Sequence, residues 1–166
     1  VGCGEGFLLQ VAKDAGYHIK GIDFSDFGLR RFHPGLADSI EAGDAFAILD
    51  RVVAGSERYD ICCLQNVLEH VIDPRALIGQ VRRLLKPGGV AVITVPNDFS
   101  RIQMKAKAQG LISRQFWVAP PQHLHYFNTN TLPSFLTAMG FATLDAFADF
   151  PIEFFLYHPG SNYIED

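Results

Sequence analysis

Two largely apolar segments, "YDICCLQ" at 59–65 and "VAVITVP" at 90–96, limit the fold more than any other feature of the chain. Neither alternates apolar with polar residues, which is the pattern of strands covered on both faces, as in parallel sheets. A helix signal lies between them. Asp73 and Pro74 pair a good N-cap with a first-turn proline, Leu77, Val81, Leu84 and Leu85 share one face, and "KPGG" at 86–89 ends the segment. Strand, helix and strand with short joints predict a doubly wound, Rossmann-like parallel sheet with right-handed crossovers and helices on both faces.

The same alternation extends upstream. Gly2, Gly4 and Gly6 stand immediately before an amphipathic run in which Leu8, Val11, Ala12 and Ala15 recur at helical spacing, and Gly16 supplies a stop. A tight turn feeding a helix N-terminus accounts for this arrangement. "YHIKGID" reads as a strand ending at Asp23, Ser25 or Asp26 can cap a short helix, "DSIEAGDAF" gives a strand ending near Asp44, and "AILDRVVAG" makes a helix closed by Gly55. From 97 to 127 the pattern loosens. There Arg101, Lys105, Lys107 and Arg114 stand against the single acid Asp98, with Phe116 and Trp117 nearby, and so long an interruption reads as an acceptor-side lid or insertion. A helix then begins at about Thr131, with Leu132, Phe135, Leu136 and Met139 on one face and Gly140 at its end. "FATLDAFADF" (141–150) and "IEFFLY" (152–157) are strand candidates.

The 166 residues, 48% apolar and 19% charged, suit one globular domain over 1–166. Only Val1 precedes the glycine turn, so the domain is expected to be truncated in its first strand. The net charge of −4 offers no general attraction to nucleic acid. Three cysteines, two of them the neighbours Cys62 and Cys63, do not make a disulfide framework. No apolar stretch approaches the roughly 20 residues of a membrane span. A cytoplasmic protein is the expectation.

In open parallel sheets, ligands bind in the crevice beyond the carboxyl ends of the strands. The glycine turn, Asp23, Asp44 and the segment from Gln65 to His70 all follow strand ends. Glycines there let the backbone approach a ligand, and the free N–H groups of a helix N-terminus suit a carboxylate or phosphate. Asp23, nineteen residues beyond Gly4, can accept from both hydroxyls of a ribose, so the pattern signals an adenosine-containing cofactor. A nicotinamide-binding turn reads G-x-G-x-x-G, whereas the third glycine here arrives one place early.

"VGCGEG", "GIDFS", "GDA", "YDICCLQNVLEHVIDPRALIGQVRRLLKPGGVAVITVPN" and "PPQHLHYFNTNTLPSFLTAMGF" together resemble, in order and spacing, the class I S-adenosylmethionine-dependent methyltransferases. The likeness is greatest to the small-molecule branch of ubiquinone-biosynthesis O-methyltransferases and sugar methyltransferases. That resemblance implies a mostly parallel seven-stranded sheet with one antiparallel strand. It also implies that Gly2, Cys3, Gly4 and Gly6 pass under the methionine part of the cofactor, that Asp23 holds the ribose, and that Phe24 packs on adenine. Asp44 with Ala45 would contact the adenine edge, and Gln65 would lie beside the methionine moiety.

The activity so implied is transfer of a methyl group from S-adenosylmethionine to a small-molecule hydroxyl, with a histidine as general base. His123 is preferred for that role, ahead of His70. His123 and His125 alternate in "QHLHY", so an extended backbone points both to one side, with Leu124 opposite, and His125 serves as a third candidate or as a backbone cap. Glu69 and His70 can equally be a salt-bridging acid and a half-buried structural imidazole. Arg101, Lys105 and Lys107 suit an anionic acceptor. The histidines and acids lack a convincing metal-ligand spacing. Two alternatives stay open: a non-catalytic methyltransferase-like binding module of a larger protein, and a nicotinamide-dependent oxidoreductase.

Overall fold

The two apolar runs form a parallel pair. In the computed structural model, which describes residues 1–158, 160, 161, 163 and 164, β3 (Tyr59–Gln65) lies beside β4 (Leu85–Thr94), with Cys62 opposite Ala91 and Leu64 opposite Ile93. The crossover between them is α4 (Pro74–Leu84). Its start is as the sequence predicts, since Asp73 accepts the Ala76 N–H at 2.9 Å and Pro74 occupies the first turn. Leu77, Ile78, Val81 and Leu84 are buried on α4, each worth about 1.5–3 kcal/mol of apolar burial. The buried Gln80 amide donates to the Phe46 carbonyl at 3.1 Å and to Asp50 at 2.7 Å, which ties α4 to α3 (Ala45–Ala54).

A second parallel pair, β1 (Gly21–Asp23) and β2 (Ile40–Ala42), sets Ile22 opposite Glu41. Between these strands run α2 (Phe27–Phe32) and a 3-10 helix (Pro34–Ser39), anchored by the buried Leu29 and Leu36. Asp26 holds the N-cap position of α2, yet it is the Ser25 hydroxyl that accepts the Phe27 N–H, at 3.2 Å. The chain start joins the two pairs: the Val1 amine donates to the Cys63 carbonyl at 2.8 Å, and the Gly2 and Cys3 N–H groups donate to Ile22 at 2.7 and 3.2 Å. All of this belongs to one compact unit, Val1–Val95.

The second unit, Pro96–Asp166, is described by itself. Its expected end at Asp166 lies outside the described residues. The stretch read as a loose lid contains a helix, α5 (Arg101–Ala108), started by a complete capping box. Ser100 accepts the Gln103 N–H at 3.4 Å, and the Gln103 side chain accepts the Ser100 N–H at 3.1 Å. Ala106, Ile112, Trp117 and Leu156 form the buried core of this unit, so Trp117 is a packing residue. Asn128 opens α6 (Thr131–Ala138) by accepting from the N–H groups of Asn130 and Thr131.

Several expectations need correction. The candidates at 141–150 and 152–157 are not strands: the first has no regular structure, and the second is a 3-10 helix (Ile152–Tyr157). The large apolar residues of 141–150 fall at Phe141, Leu144, Phe147 and Phe150, every third place, a period that presents no single face to a sheet. Four strands in two parallel pairs occur among the described residues, with no antiparallel pairing and hence not the seven strands that the resemblance implies. On β4 Val90 and Val92 are exposed while Ala91 and Ile93 are half-buried, so that strand is not covered on both faces. The stripe on α1 (Phe7–Asp14) is not core either, with Leu8 41% and Val11 64% exposed.

Candidate functional site

Parallel pairing brings the ends of β1 and β2 to the same side of their sheet, and the glycine turn, Asp23 and the segment leading to Asp44 collect there. The turn at 2–6 is held from below by the Ile22 carbonyl and closed by a Gly6 N–H to Cys3 carbonyl bond of 2.9 Å. From above, the Gly4 N–H donates to Asp23 Oδ2 at 2.8 Å. The acid nineteen residues away in sequence is therefore bonded directly to the turn. The Ser25 N–H reaches Asp23 Oδ1 at 3.3 Å, and the Asp23 carbonyl accepts from Gly43 at 2.9 Å, just before Asp44.

Space around the turn differs from glycine to glycine. A Cβ on Gly2 would stand 2.3 Å from Val67 Cγ2, and one on the buried Gly6 would stand 3.0 Å from Leu29 Cδ1. Gly4 has φ +51° and nothing within 4 Å of its Cβ position. Packing fixes the outer two glycines, whereas Gly4 borders open space. Gly6 is the N-cap of α1 and offers no side-chain cap, which leaves first-turn N–H groups of the helix to other acceptors. Sequence reasoning passed over Gly21 as a structural glycine. A Cβ there would lie 2.7 Å from Leu9 and 2.9 Å from Cys3 Sγ, so this strand residue must be small for the turn to seat. Its place at the head of "GID" was the available signal.

The other candidates fall as follows. Phe24, next to Asp23, is 87% exposed and presents a free ring. Asp44 accepts the Ala47 N–H at 2.8 Å and so caps α3, with Ala45 as the first helical residue. Gln65 ends β3 and is exposed. Cys3 is half-buried; burial, and then the Asp23 carboxylate, push its thiol up, so it stays a neutral thiol at physiological pH. Glu69 is buried to 1% exposure, and its carboxylate makes no hydrogen bond among the described residues; His70 Nε2 lies 3.7 Å away.

In the second unit, His123 and His125 are half-buried while Leu124 between them is 45% exposed, which matches the alternation expected of "QHLHY". The ring of His123 faces Tyr126 at 6.4 Å, and that of His125 faces Phe127 at 6.4 Å.

A family described as "Methyltransferase domain" matches residues 1–146. The ubiquinone biosynthesis O-methyltransferase of Paraburkholderia phytofirmans is 30% identical over 153 residues, 87% of this chain and 64% of that protein. The enzyme of the same name from Ralstonia nicotianae is 37% identical over 115 residues, 65% of this chain and 44% of that one. The chain thus spans less than two thirds of the length of these relatives. A crystal structure of a SAM dependent methyltransferase from Archaeoglobus fulgidus superposes with a TM-score of 0.64 over 85% of this chain and 58% of that one, at 24% identity, and so shares the fold. With a glycine turn bonded to the acid that ends β1, a matching fold and a family match over 1–146, the chain belongs to the methyltransferase domain family.

Proposed function

We infer that this chain binds S-adenosylmethionine at the turn of 2–6 and directs its methyl group to the hydroxyl of a small molecule. The observation that carries the reading is the 2.8 Å bond from the Gly4 N–H to Asp23, combined with the open space beside Gly4. When bound, the cofactor supplies an electrophilic methyl group on a sulfonium. The backbone at Gly4 is free to approach the methionine portion, with Gly2, Cys3 and Gly6 shaping the turn, and the uncapped N–H groups of α1 suit its carboxylate.

Asp23 uses one lone pair of Oδ2 on the turn and keeps others to accept from ribose hydroxyls. The exposed Phe24 ring offers an apolar face to adenine. Asp44 is committed through Oδ1 to capping α3, which leaves Oδ2 and the neighbouring Ala45 backbone for the adenine edge. Gln65 can donate toward the methionine moiety.

A hydroxyl is a weak nucleophile near neutral pH, so the residue that removes its proton matters most on the acceptor side. We assign that role to His123, with His70 next and His125 third. Segment 97–127 serves acceptor recognition in this reading. No helix among the described residues is long and apolar enough to cross a membrane; we assign the protein to the cytoplasm. The test is transfer of a labelled methyl group from S-adenosylmethionine to a panel of phenols, catechols and sugars, read by mass spectrometry. A labelled ether is expected. Intact cofactor binding without transfer to any oxygen, nitrogen or carbon acceptor would leave a binding module instead.

A further inference from the structure

We propose that a groove in the second unit binds an aromatic carboxylate, a planar anion attached to a flat apolar body. The groove, of about 500 Å³, is lined by Arg101, Ile102 and Lys105 of α5 and by Phe154 and Tyr157 of the 3-10 helix. Its two walls are tied to each other. The Tyr157 hydroxyl donates to the Ile102 carbonyl at 2.8 Å, the buried Gln103 amide donates to Glu153 at 2.8 Å, and Ala106 and Leu156 are packed in the buried core.

Charge is what selects the occupant. Arg101 and Lys105 are one helical turn apart on the same face, where like charges repel and destabilise a helix. Both are exposed, and neither is in an ion pair among the described residues. Glu153, the one acid on the facing helix, is turned to Gln103 and does not line the groove. Two cations with no ion pair among the described residues, set in one concavity, are notable in a chain whose net charge is −4. A guanidinium takes a carboxylate through paired N–H bonds, and the neighbouring ammonium adds a point charge. Phe154, half exposed, and the Tyr157 ring supply the surface on which an aromatic body packs. An inorganic anion would leave the rings bare, and a neutral aromatic would leave the cations unpaired.

Arg101 and Lys105 lie in the segment given above to acceptor recognition, and the inference rests on that part of the reading; it is tested without cofactor, so its failure is distinct from a failure of cofactor binding. The full chain is titrated by calorimetry with 2-naphthoate, with 2-naphthalenemethanol as the uncharged analogue and with acetate as the anion alone. Saturable binding of one naphthoate per chain is expected, with the alcohol and acetate each at least tenfold weaker. The Arg101→Gln/Lys105→Gln variant, altered only at exposed positions, should lose at least tenfold in naphthoate affinity. Arg31→Gln, an exposed cation of the first unit outside the groove, should change it less than twofold. Equal affinity for the alcohol, no saturable binding of naphthoate, or undiminished affinity in the double variant would each overturn the proposal.

Discussion

Replacing Gly4 by alanine separates the role of the turn in the fold from its role toward a ligand. The backbone there sits at φ +51°, inside the left-handed region, where a Cβ costs roughly 1–2 kcal/mol. No steric cost adds to this, because nothing lies within 4 Å of the new methyl. Gly2→Ala carries a similar conformational cost at φ +67° and also drives a methyl to 2.3 Å from Val67, an overpacking worth a further ~1–3 kcal/mol. Gly2→Ala should therefore be the less stable of the two in urea denaturation. Affinity for S-adenosylhomocysteine should not follow stability. The Gly4→Ala methyl fills the space the cofactor needs, so calorimetry under conditions where the variant stays folded should show a loss of tenfold or more, about 1.4 kcal/mol. Parent-like affinity in folded Gly4→Ala would refute the claim that a ligand passes beside this glycine.

Three other perturbations test separate parts of the account. Asp23→Ala should weaken cofactor binding by roughly 1.5–3 kcal/mol and loosen the turn, while Asp23→Asn, which keeps an oxygen for the Gly4 N–H, should recover stability but not affinity; unchanged affinity in both would remove Asp23 from ribose binding. His123→Ala should lower turnover by about 10²–10⁴-fold at saturating cofactor with little change in cofactor affinity, and equal turnover would shift the base to His70 or to an acceptor that needs none. Burial, then the hydrogen bond to Glu57, pushes the Tyr59 phenol up to about 12 from its ordinary value near 10. A folded-state pKa above the unfolded one means that this contribution is complete below about pH 10 and is lost as pH rises to about 12, so Tyr59→Phe should flatten the alkaline fall in stability relative to the parent. An identical fall in both proteins would contradict the assignment.

The parts of the fold visible in the sequence were those set by local chemistry. Asp73-Pro74 announces α4 because a cap and a first-turn proline act within four residues, and the strand ends at Asp23 and near Asp44 follow from turn residues beside short apolar runs. The capping box at Ser100 and Gln103 was equally local and could have revealed α5, but the density of charged residues obscured it. What periodicity could not supply was coverage. Leu8 and Val11 have the spacing of a buried stripe and are exposed, because burial depends on what lies across from a face. The same holds for Val90 and Val92. At the site, composition and spacing suggested Gly4 and Asp23 separately, whereas their direct bond and the difference between Gly4 and its neighbours are three-dimensional facts. The groove between Arg101 and Tyr157 joins residues 56 positions apart, which no motif spans.

The central claim is that the 2–6 turn and Asp23 form an S-adenosyl site. Parallel calorimetric titrations of the full chain with S-adenosylhomocysteine and with NAD test it most directly. One saturating S-adenosylhomocysteine per chain and no heat of binding from NAD is the result the account predicts; binding of NAD with none of S-adenosylhomocysteine would contradict it.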